Sequence, residues 1–238
     1  MNWYKESFSK DYLLIYPHRN SDEAIEQINF LLNTIPLTKN AKILDLCCGA
    51  GRHSIELIKR GYDVVSADLS ADLLDVAKSE SIPMKLVRCD MRHIPFVNQF
   101  DLIIQFFTSF GYFQTDDQNQ KVLDSIALAL KSEGYFLIDY MNVEYVINNL
   151  VDRDEKDISD IHIIQERWIA DNRINKKITI IRNGSEKYYT ESVRLYSHKE
   201  MQCMIENAGL ILIDTYGDFY GNKFNSNSPR MILIGKHK

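Results

Sequence analysis

Cysteine is scarce in this chain, with four residues among 238, and no two of them have the Cys-x-x-Cys spacing. Cys47 and Cys48 are adjacent, whereas Cys89 and Cys203 stand alone. Disulfide-rich domains and zinc sites need several cysteines at short, regular spacing. We therefore expect neither a disulfide framework nor a bound metal. Cysteines at the ends of predicted strands are expected to behave as small buried apolar residues.

Long apolar runs and an excess of positive charge are also missing. No run of 18 apolar residues occurs, and the first residues contain no apolar segment of the kind found in secretory signals. The 28 lysines and arginines are outnumbered by 33 aspartates and glutamates, which gives a formal net charge of −5. A surface that neutralises nucleic-acid phosphates needs the opposite balance. The sequence thus predicts a cytoplasmic protein that binds neither nucleic acid nor a membrane.

What the chain does contain is one short segment in which an apolar run, two glycines and an amphipathic stretch follow one another. Residues 43–46 have the length and composition of a buried parallel strand. Gly49 and Gly51 come next, and Ile55 and Leu57 then belong to an amphipathic helix. Glycines allow the backbone to turn sharply and let a ligand approach with no Cβ in the way. The segment therefore predicts the first half of a nucleotide-binding βαβ unit.

Two acidic residues indicate which nucleotide is bound. A dinucleotide fingerprint requires a third glycine where this chain has Ser54, and it gives no role to Asp45. The pattern Asp-x-x-x-Gly-x-Gly at 45–51 instead resembles motif I of class I S-adenosylmethionine (SAM)-dependent methyltransferases. Asp68 ends the next apolar run, where a carboxylate can accept both ribose hydroxyls. The resemblance implies SAM as the cofactor.

Strand-like and helix-like segments alternate five times up to residue 140, which indicates a parallel sheet with helices on both faces. Two final strands, at 210–216 and 230–235, resemble the terminal hairpin of class I methyltransferases. The predicted fold class is therefore α/β, with a Rossmann-like, doubly wound, mostly parallel seven-stranded sheet. A terminal antiparallel hairpin and a small antiparallel β insertion complete it.

The predicted SAM-binding domain comprises residues 1–151 and 197–238. Its first 20 residues are rich in aromatic side chains and form an N-terminal arm, which either packs onto the domain or covers the cofactor as a lid. Residues 152–196 are predicted to be an antiparallel β insertion that forms part of the acceptor pocket.

Within this insertion, an acidic link at 152–160 is expected to precede three strands. The strand-like runs are 161–170, 173–182 and 187–196, and they are separated by Asp171-Asn172 and by Asn183-Gly184. Both dipeptides are strong signals for tight hairpin turns.

The resemblance implies a set of cofactor-binding residues at the ends of successive strands and on the arm. Motif I would lie under the methionine part of SAM, Asp68 would hold the ribose, and Asp90 would accept from the adenine amino group. The full predicted set is Asp45, Cys47, Gly49, Gly51, Asp68, Leu69, Asp90, Met91, Gln105, Phe106, Tyr16 and Arg19.

A second set of residues is expected to surround the methyl acceptor. The predicted substrate-binding residues are Thr108, Ser109, Tyr112, Tyr12 and Arg230. An amine must be neutral to attack the methyl group, so a proton acceptor is expected nearby, and the candidates are Tyr112, His18 and His198. His53 begins the helix after the glycines and is interpreted as orienting the loop.

Four segments narrow the resemblance to one branch of the methyltransferases, because they are similar to bacterial amino-sugar N,N-dimethyltransferases of antibiotic pathways. These segments are Cys48–Ser54, Asp90–Arg92, Phe107–Tyr112 and Asn227–Arg230. The predicted function is methyl transfer from SAM to a nitrogen or oxygen of a small-molecule acceptor, by a monomer or homodimer. The alternatives are a non-catalytic SAM-binding module and a methyltransferase acting on protein or RNA. A third alternative is a nicotinamide-dependent oxidoreductase. Ser54, in place of the third glycine of a dinucleotide fingerprint, argues against it.

Overall fold

The computed structural model describes residues 3–16 and 21–238. His18 and Arg19, both predicted site residues, lie outside the described residues. Within the described ranges no helix is both long and apolar enough to cross a bilayer. The same ranges contain no group of three or more His, Cys, Asp and Glu side chains placed to hold a metal ion.

A seven-stranded mixed sheet forms the frame of the molecule. Its strands are β1 (Lys42–Leu46), β2 (Asp63–Asp68), β3 (Lys85–Arg88), β4 (Phe100–Gln105), β5 (Leu130–Met141), β10 (Leu210–Tyr216) and β11 (Arg230–His237). They lie in the spatial order β3-β2-β1-β4-β5-β11-β10. The first five run parallel, and β11 and β10 are antiparallel to their neighbours. The predicted fold class is confirmed.

Helices cover both faces of this sheet because its central strands are apolar on both sides. The helices beyond the arm are α3 (Ser21–Thr34), α4 (Arg52–Lys59), α5 (Ala71–Lys78), α6 (Asp116–Ala129), α7 (Val143–Asn148) and α8 (His198–Asn207). Ile43 of β1 packs in the cluster that contains residues of α3 and α4, and its neighbour Leu44 packs in the cluster that contains residues of α6 and α8. Ser197 and Glu200 form the capping box that starts α8.

The insertion folds as a separate antiparallel sheet of four strands. They are β6 (Arg153–Ile158), β7 (Ile161–Ala170), β8 (Arg173–Arg182) and β9 (Ser185–Arg194), in that spatial order. The predicted turns are present: Asp171, Asn172, Asn183 and Gly184 all have positive φ, as tight hairpin turns of this kind require. The prediction of an acidic link at 152–160 is wrong, because most of it is the edge strand β6.

The N-terminal arm contains two short helices, α1 (Tyr4–Ser7) and α2 (Asp11–Ile15), and is attached to the insertion. The Ser7 hydroxyl donates to the carbonyl of Thr190 in β9, at 2.7 Å. Ile15 is almost completely buried in a cluster with isoleucines of β7 and β8. The arm and the insertion sheet therefore pack together beside the carboxyl ends of the parallel strands.

Candidate functional site

The loop after β1 is held in a strained backbone conformation that brings its amides toward the end of β2. Cys47, Gly49 and Gly51 have φ of 62°, 57° and 84°. The carboxylate of Asp68 accepts the Gly49 N–H at 2.8 Å through one oxygen and the Ser70 N–H at 2.8 Å through the other. Burial raises the pKa of Asp68. The two strand ends are thus joined through one carboxylate, which is a hydrogen-bond acceptor at the mouth of the crevice.

Ser54, the residue that departs from the dinucleotide fingerprint, bonds to the first acid of the motif. Its hydroxyl donates to Asp45 at 2.6 Å, and the hydroxyl of Ser66 donates to Ser54 at 2.7 Å. All three side chains are buried. Burial raises the pKa of Asp45 to about 6. A glycine at position 54 would remove the donor that satisfies this carboxylate.

Gly51 is required by packing as well as by its backbone angle. A Cβ on Gly51 would lie 2.8 Å from the sulfur of Met84, which is closer than real Cβ contacts. A Cβ on Gly49 would meet only Leu73, at 3.8 Å. Gly49 lies at the crevice, and Gly51 supports the loop from behind.

Asp90, at the end of β3, is paired within its own turn. It accepts the backbone N–H of Arg92 at 2.9 Å and forms a salt bridge with the Arg92 guanidinium at 2.6 Å. Burial opposes ionisation, but these hydrogen bonds hold the pKa of Asp90 below its usual value. The guanidinium in turn lies over the ring of Phe113, 4.0 Å from its centroid. Asp90 is therefore an ionised carboxylate in a fixed orientation.

Gln105, the last residue of β4, supplies a buried acceptor without a partner. Its amide nitrogen donates to the carbonyl of Ser109 at 2.9 Å and lies 3.4 Å from the sulfur of Met91. No described residue bonds to its amide oxygen. A buried acceptor of this kind is costly unless a ligand or a water satisfies it.

Three adjoining cavities lie at these strand ends. The Asp68 cavity is covered by arm residues Tyr4, Phe8 and Tyr12. Its floor and walls include Cys47, Gly49, Asp68, Leu69, Asp90, Met91, Ser109 and Tyr112. The cavity is largely apolar, with two carboxylates on its wall, which suits a flat ring joined to a polyhydroxylated group.

The second space, the glycine-loop cavity, lies beside the loop after β1. It is lined by Tyr12, Tyr16, Asp45, Cys47, Gly49, Arg52, His53, Phe106 and Ser109, among others. Arg52 forms a 2.8 Å salt bridge with Glu23 and lies over the ring of Phe107, 4.2 Å from its centroid. The cavity thus contains a cation next to the glycine loop.

The third space, the insertion cavity, lies between the arm, the loop after β4 and the insertion sheet. Its aromatic lining comprises Trp3, Phe8, Tyr12, Tyr16, Phe107 and Tyr112. Its polar lining comprises Thr108, Arg167, Lys176, Glu191 and Arg230.

Two polar groups hold the walls of the insertion cavity in place. The Arg230 guanidinium donates to the buried carboxylate of Asp139 at 2.7 Å and to the hydroxyl of Thr108 at 2.9 Å. The Tyr16 hydroxyl donates to Glu191 at 2.9 Å and accepts from the Lys176 ammonium at 2.7 Å. Burial, reinforced by Glu191, raises the pKa of Tyr16 well above its usual value. Tyr16 is therefore a neutral hydrogen-bond donor.

The structure brings most of the predicted site residues together. Tyr12 lines all three cavities, and Tyr112 lines the Asp68 and insertion cavities. Among the described members of the predicted set, Gly51, Gln105 and His198 line none of the three. Gly51 and Gln105 still contact residues of the crevice walls.

The sequence analysis predicts His198 at the site, but the structure places it outside the three cavities. His198 begins α8, where its ring bonds to the Thr215 hydroxyl at 2.9 Å and stacks on Phe224. Its ring is thus held by β10 and by the loop between β10 and β11.

His53 is buried next to the glycine loop and is held by its neighbours. Its ring bonds to the Gln27 side chain at 2.6 Å and stacks on Phe106 at 4.2 Å. Burial, together with the Arg52 charge, lowers the pKa of His53 well below its usual value. A neutral, packed ring of this kind orients the loop more readily than it accepts a proton from a substrate.

Several lining residues were not singled out from the sequence. They are Trp3, Arg52, Phe107, Arg167, Lys176 and Glu191. A signal existed for Arg52, which directly follows the second glycine, and for Trp3, which belongs to the aromatic arm. The insertion residues carry no local signal, since only the tertiary fold brings their strands to the crevice.

Comparison with known proteins gives the family of the central segment. Residues 43–134 match the family described as "Methyltransferase domain". A putative methyltransferase, YqeM of Bacillus subtilis, is 29% identical over 213 residues, which cover 83% of this chain and 84% of the relative. A glycine/sarcosine N-methyltransferase of Halorhodospira halochloris is 26% identical, covering 80% of this chain and 73% of the relative.

Two further comparisons concern the resemblance to amino-sugar N,N-dimethyltransferases and the fold. A dTDP-3-amino-3,4,6-trideoxy-alpha-D-glucopyranose N,N-dimethyltransferase of Streptomyces venezuelae is 27% identical over 57% of this chain and 58% of the relative. The crystal structure of a SAM-dependent methyltransferase from Clostridium acetobutylicum superposes with a TM-score of 0.82, at 19% identity, over 95% of this chain and 96% of that one. The resemblance found in the sequence is confirmed.

Proposed function

We propose that this chain is a class I SAM-dependent methyltransferase and transfers a methyl group from SAM to a nitrogen or oxygen of a small-molecule acceptor. The observation that carries the proposal is the meeting of three cavities at Tyr12. One cavity suits a nucleoside, the next offers a glycine loop and a cation, and the third is a separate space behind the arm. Such an arrangement can hold a donor and an acceptor side by side.

The described residues fit SAM. Asp68 is an acceptor on the wall of its cavity and would take the ribose hydroxyls, and Asp90 would accept from the adenine amino group beside Leu69 and Met91. The buried amide of Gln105 lines none of the three cavities and would act on the site through Ser109, whose carbonyl accepts from it. The glycine loop of Asp45, Cys47, Gly49 and Gly51, with Phe106 and Tyr16, would enclose the methionine part.

Arg52 is the described cation placed to pair with the carboxylate of the methionine part. It lines the glycine-loop cavity. Its guanidinium is already fixed by Glu23 and Phe107, so little conformational entropy is lost on pairing with a carboxylate.

Bound SAM supplies a sulfonium that activates its methyl group, so the chain's own task is to align the acceptor and exclude water. The arm closes the site from solvent, with Tyr12 at the junction of the cavities. Tyr112, Thr108 and Ser109 would orient the acceptor atom. For an amine acceptor, Tyr112 and Glu191 are the described residues placed to hold or receive its proton.

A small acceptor is favoured because the insertion cavity is bounded on one side by the arm and on another by the insertion sheet. The glycine/sarcosine enzyme and the amino-sugar enzyme are named as N-methyltransferases of small molecules. YqeM is named only as a putative methyltransferase. The chain covers most of the length of YqeM and of the glycine/sarcosine enzyme. A non-catalytic SAM-binding module is the second candidate, and it has the same cofactor geometry. Only methyl transfer to an acceptor distinguishes a methyltransferase from a non-catalytic SAM-binding module.

The test has two steps on the full-length protein. Thermal unfolding with SAM, S-adenosylhomocysteine or NAD should show stabilisation by the first two only, because a ligand that binds only the folded state raises the melting temperature. A panel of small amines and alcohols is then incubated with SAM, and release of S-adenosylhomocysteine is followed. Stabilisation by NAD alone would refute the proposal. Binding of SAM without turnover on any acceptor would favour the non-catalytic module.

A further inference from the structure

We propose that the acceptor is an amine that also carries an anionic oxygen group, a carboxylate or a phosphate, and that Arg230 binds this group. The inference rests on the proposed function and specifies its substrate class. It comes from the polar lining of the insertion cavity, where hydrogen-bond donors outnumber acceptors. A donor-rich cavity is best satisfied by a ligand rich in acceptor oxygens.

Arg230 is oriented in advance for this role. Its Nε donates to Asp139, and its Nη2 contacts both Asp139 and Thr108. No described residue bonds to Nη1, and the side chain is 27% exposed. The buried carboxylate of Asp139 also accepts the N–H of Phe107, so both of its oxygens are hydrogen-bonded. One edge of the guanidinium is therefore fixed and the other remains available to a ligand.

Trp3 supplies a second and independent observation. Its side chain lines the insertion cavity and is 4% exposed, yet no described residue accepts from its indole N–H. A buried donor without a partner costs free energy, which would be recovered if a bound ligand brought an oxygen within reach of the indole N–H. The Lys176 ammonium and the Arg167 guanidinium line the same cavity.

Glu191 is the one carboxylate among the described residues that line this cavity. It accepts from Tyr16, which leaves acceptor capacity on both of its oxygens. An amine on the ligand would be attracted to it. The cavity thus offers one position for an amine and several for anionic oxygens.

The attraction arises more from aligned donors than from net charge. Arg230 is backed by Asp139, and Arg167 forms a 3.0 Å salt bridge with Asp154. Neither aspartate lines the cavity. The carboxylate of SAM is not the expected occupant, since Arg230 does not line the glycine-loop cavity, where Arg52 is available.

The experiment uses matched acceptors on the full chain with SAM. Glycine and sarcosine are compared with glycinamide, and glucosamine 6-phosphate is compared with glucosamine. The two pairs distinguish a carboxylate from a phosphate. We expect the anionic member of at least one pair to be methylated with kcat/KM at least about tenfold higher than its neutral partner.

Substitutions of residues that line the insertion cavity test where the anionic group binds. Arg230→Gln and Lys176→Gln should each raise KM for the anionic acceptor about tenfold or more and change kcat much less. Lys176→Gln keeps the test valid if Arg230→Gln folds poorly after losing the Asp139 pair. Lys177→Gln, the exposed next residue on β8, is the matched control and should leave KM unchanged.

Higher turnover of the neutral partners, or an unchanged KM in both cavity variants, would overturn the inference. Turnover confined to amines without an anionic group would do the same. In either case S-adenosylhomocysteine is still released, so the proposed function survives. Failure to bind SAM would refute the proposed function itself.

Discussion

The hydroxyl of Tyr16 lies 2.9 and 3.0 Å from the two carboxylate oxygens of Glu191, a residue 175 positions further along the chain. Tyr16 ends the described part of the arm, and Glu191 lies in β9 of the insertion. The same hydroxyl accepts from Lys176 of β8. This contact ties the arm to the insertion beside the insertion cavity, which both segments line. The cover of the site is therefore built from two distant segments.

Removing the Tyr16 hydroxyl should loosen the arm. A hydrogen bond to a charged group contributes about 1.5–3 kcal/mol. In Tyr16→Phe, backbone amides of residues 3–16 should exchange with deuterium about 10–100-fold faster, because local opening becomes more frequent. Tyr188→Phe, which alters an exposed hydroxyl on the same strand as Glu191, is the matched control. Equal exchange in Tyr16→Phe and the parent would show that the contact does not hold the arm.

The buried carboxylate of Asp45 should make stability depend on pH. Burial raises its pKa to about 6 from an ordinary value of 3.8. The folded protein therefore binds this proton more tightly than the unfolded chain, and the free energy of unfolding falls as the pH rises from about 4 to about 6. Above that range the loss is complete.

Asp45→Asn removes this titration and preserves an acceptor for Ser54. Relative to the parent, the variant should gain about 2 kcal/mol of stability on going from about pH 4.5 to about pH 7.5. Urea unfolding of both proteins at the two pH values measures the difference. A relative stability that stays the same at both pH values would contradict the raised pKa.

Gly51→Ala should destabilise the protein more than the corresponding change at Gly61. Both glycines have positive φ, so alanine is disfavoured at each by about 1–2 kcal/mol. At Gly51 the new Cβ would also meet the Met84 sulfur at 2.8 Å, whereas at Gly61 it would meet nothing within 4 Å. Moving the flexible, half-buried Met84 side chain adds about 1 kcal/mol, the low end of the cost of overpacking. Urea unfolding that gave equal losses at the two sites would show that the Met84 contact is not tight.

Local patterns allowed the parallel sheet and its glycine loop to be predicted. Strands such as β1 are short apolar runs, and the hairpin turns at Asp171-Asn172 and Asn183-Gly184 need residues that tolerate positive φ. Asp45 and Asp68 could be selected because strand ends in an open α/β sheet meet at one edge. These features depend on residues close together in the sequence.

Features that depend on distant residues could not be predicted. The strand β6 carries charged residues on both faces and lies at the edge of its sheet, so it lacks the alternation that marks a half-buried strand. The pairing of Tyr16 with Glu191 joins segments that no sequence spacing relates. The position of His198 depends on its hydrogen bond to Thr215 and its stacking on Phe224, two contacts that no local pattern indicates.

The most direct test of the account is the affinity of SAM for Asp68→Ala, measured by isothermal titration calorimetry beside the parent. Asp63→Ala, at the opposite end of the same strand, is the matched control. We expect Asp68→Ala to lose about 1.5–3 kcal/mol of binding free energy, a roughly 10–150-fold rise in Kd, because hydrogen bonds to a charged acceptor are lost. Asp63→Ala should bind as the parent does. Equal affinity of SAM for all three proteins would contradict the placement of the cofactor on Asp68.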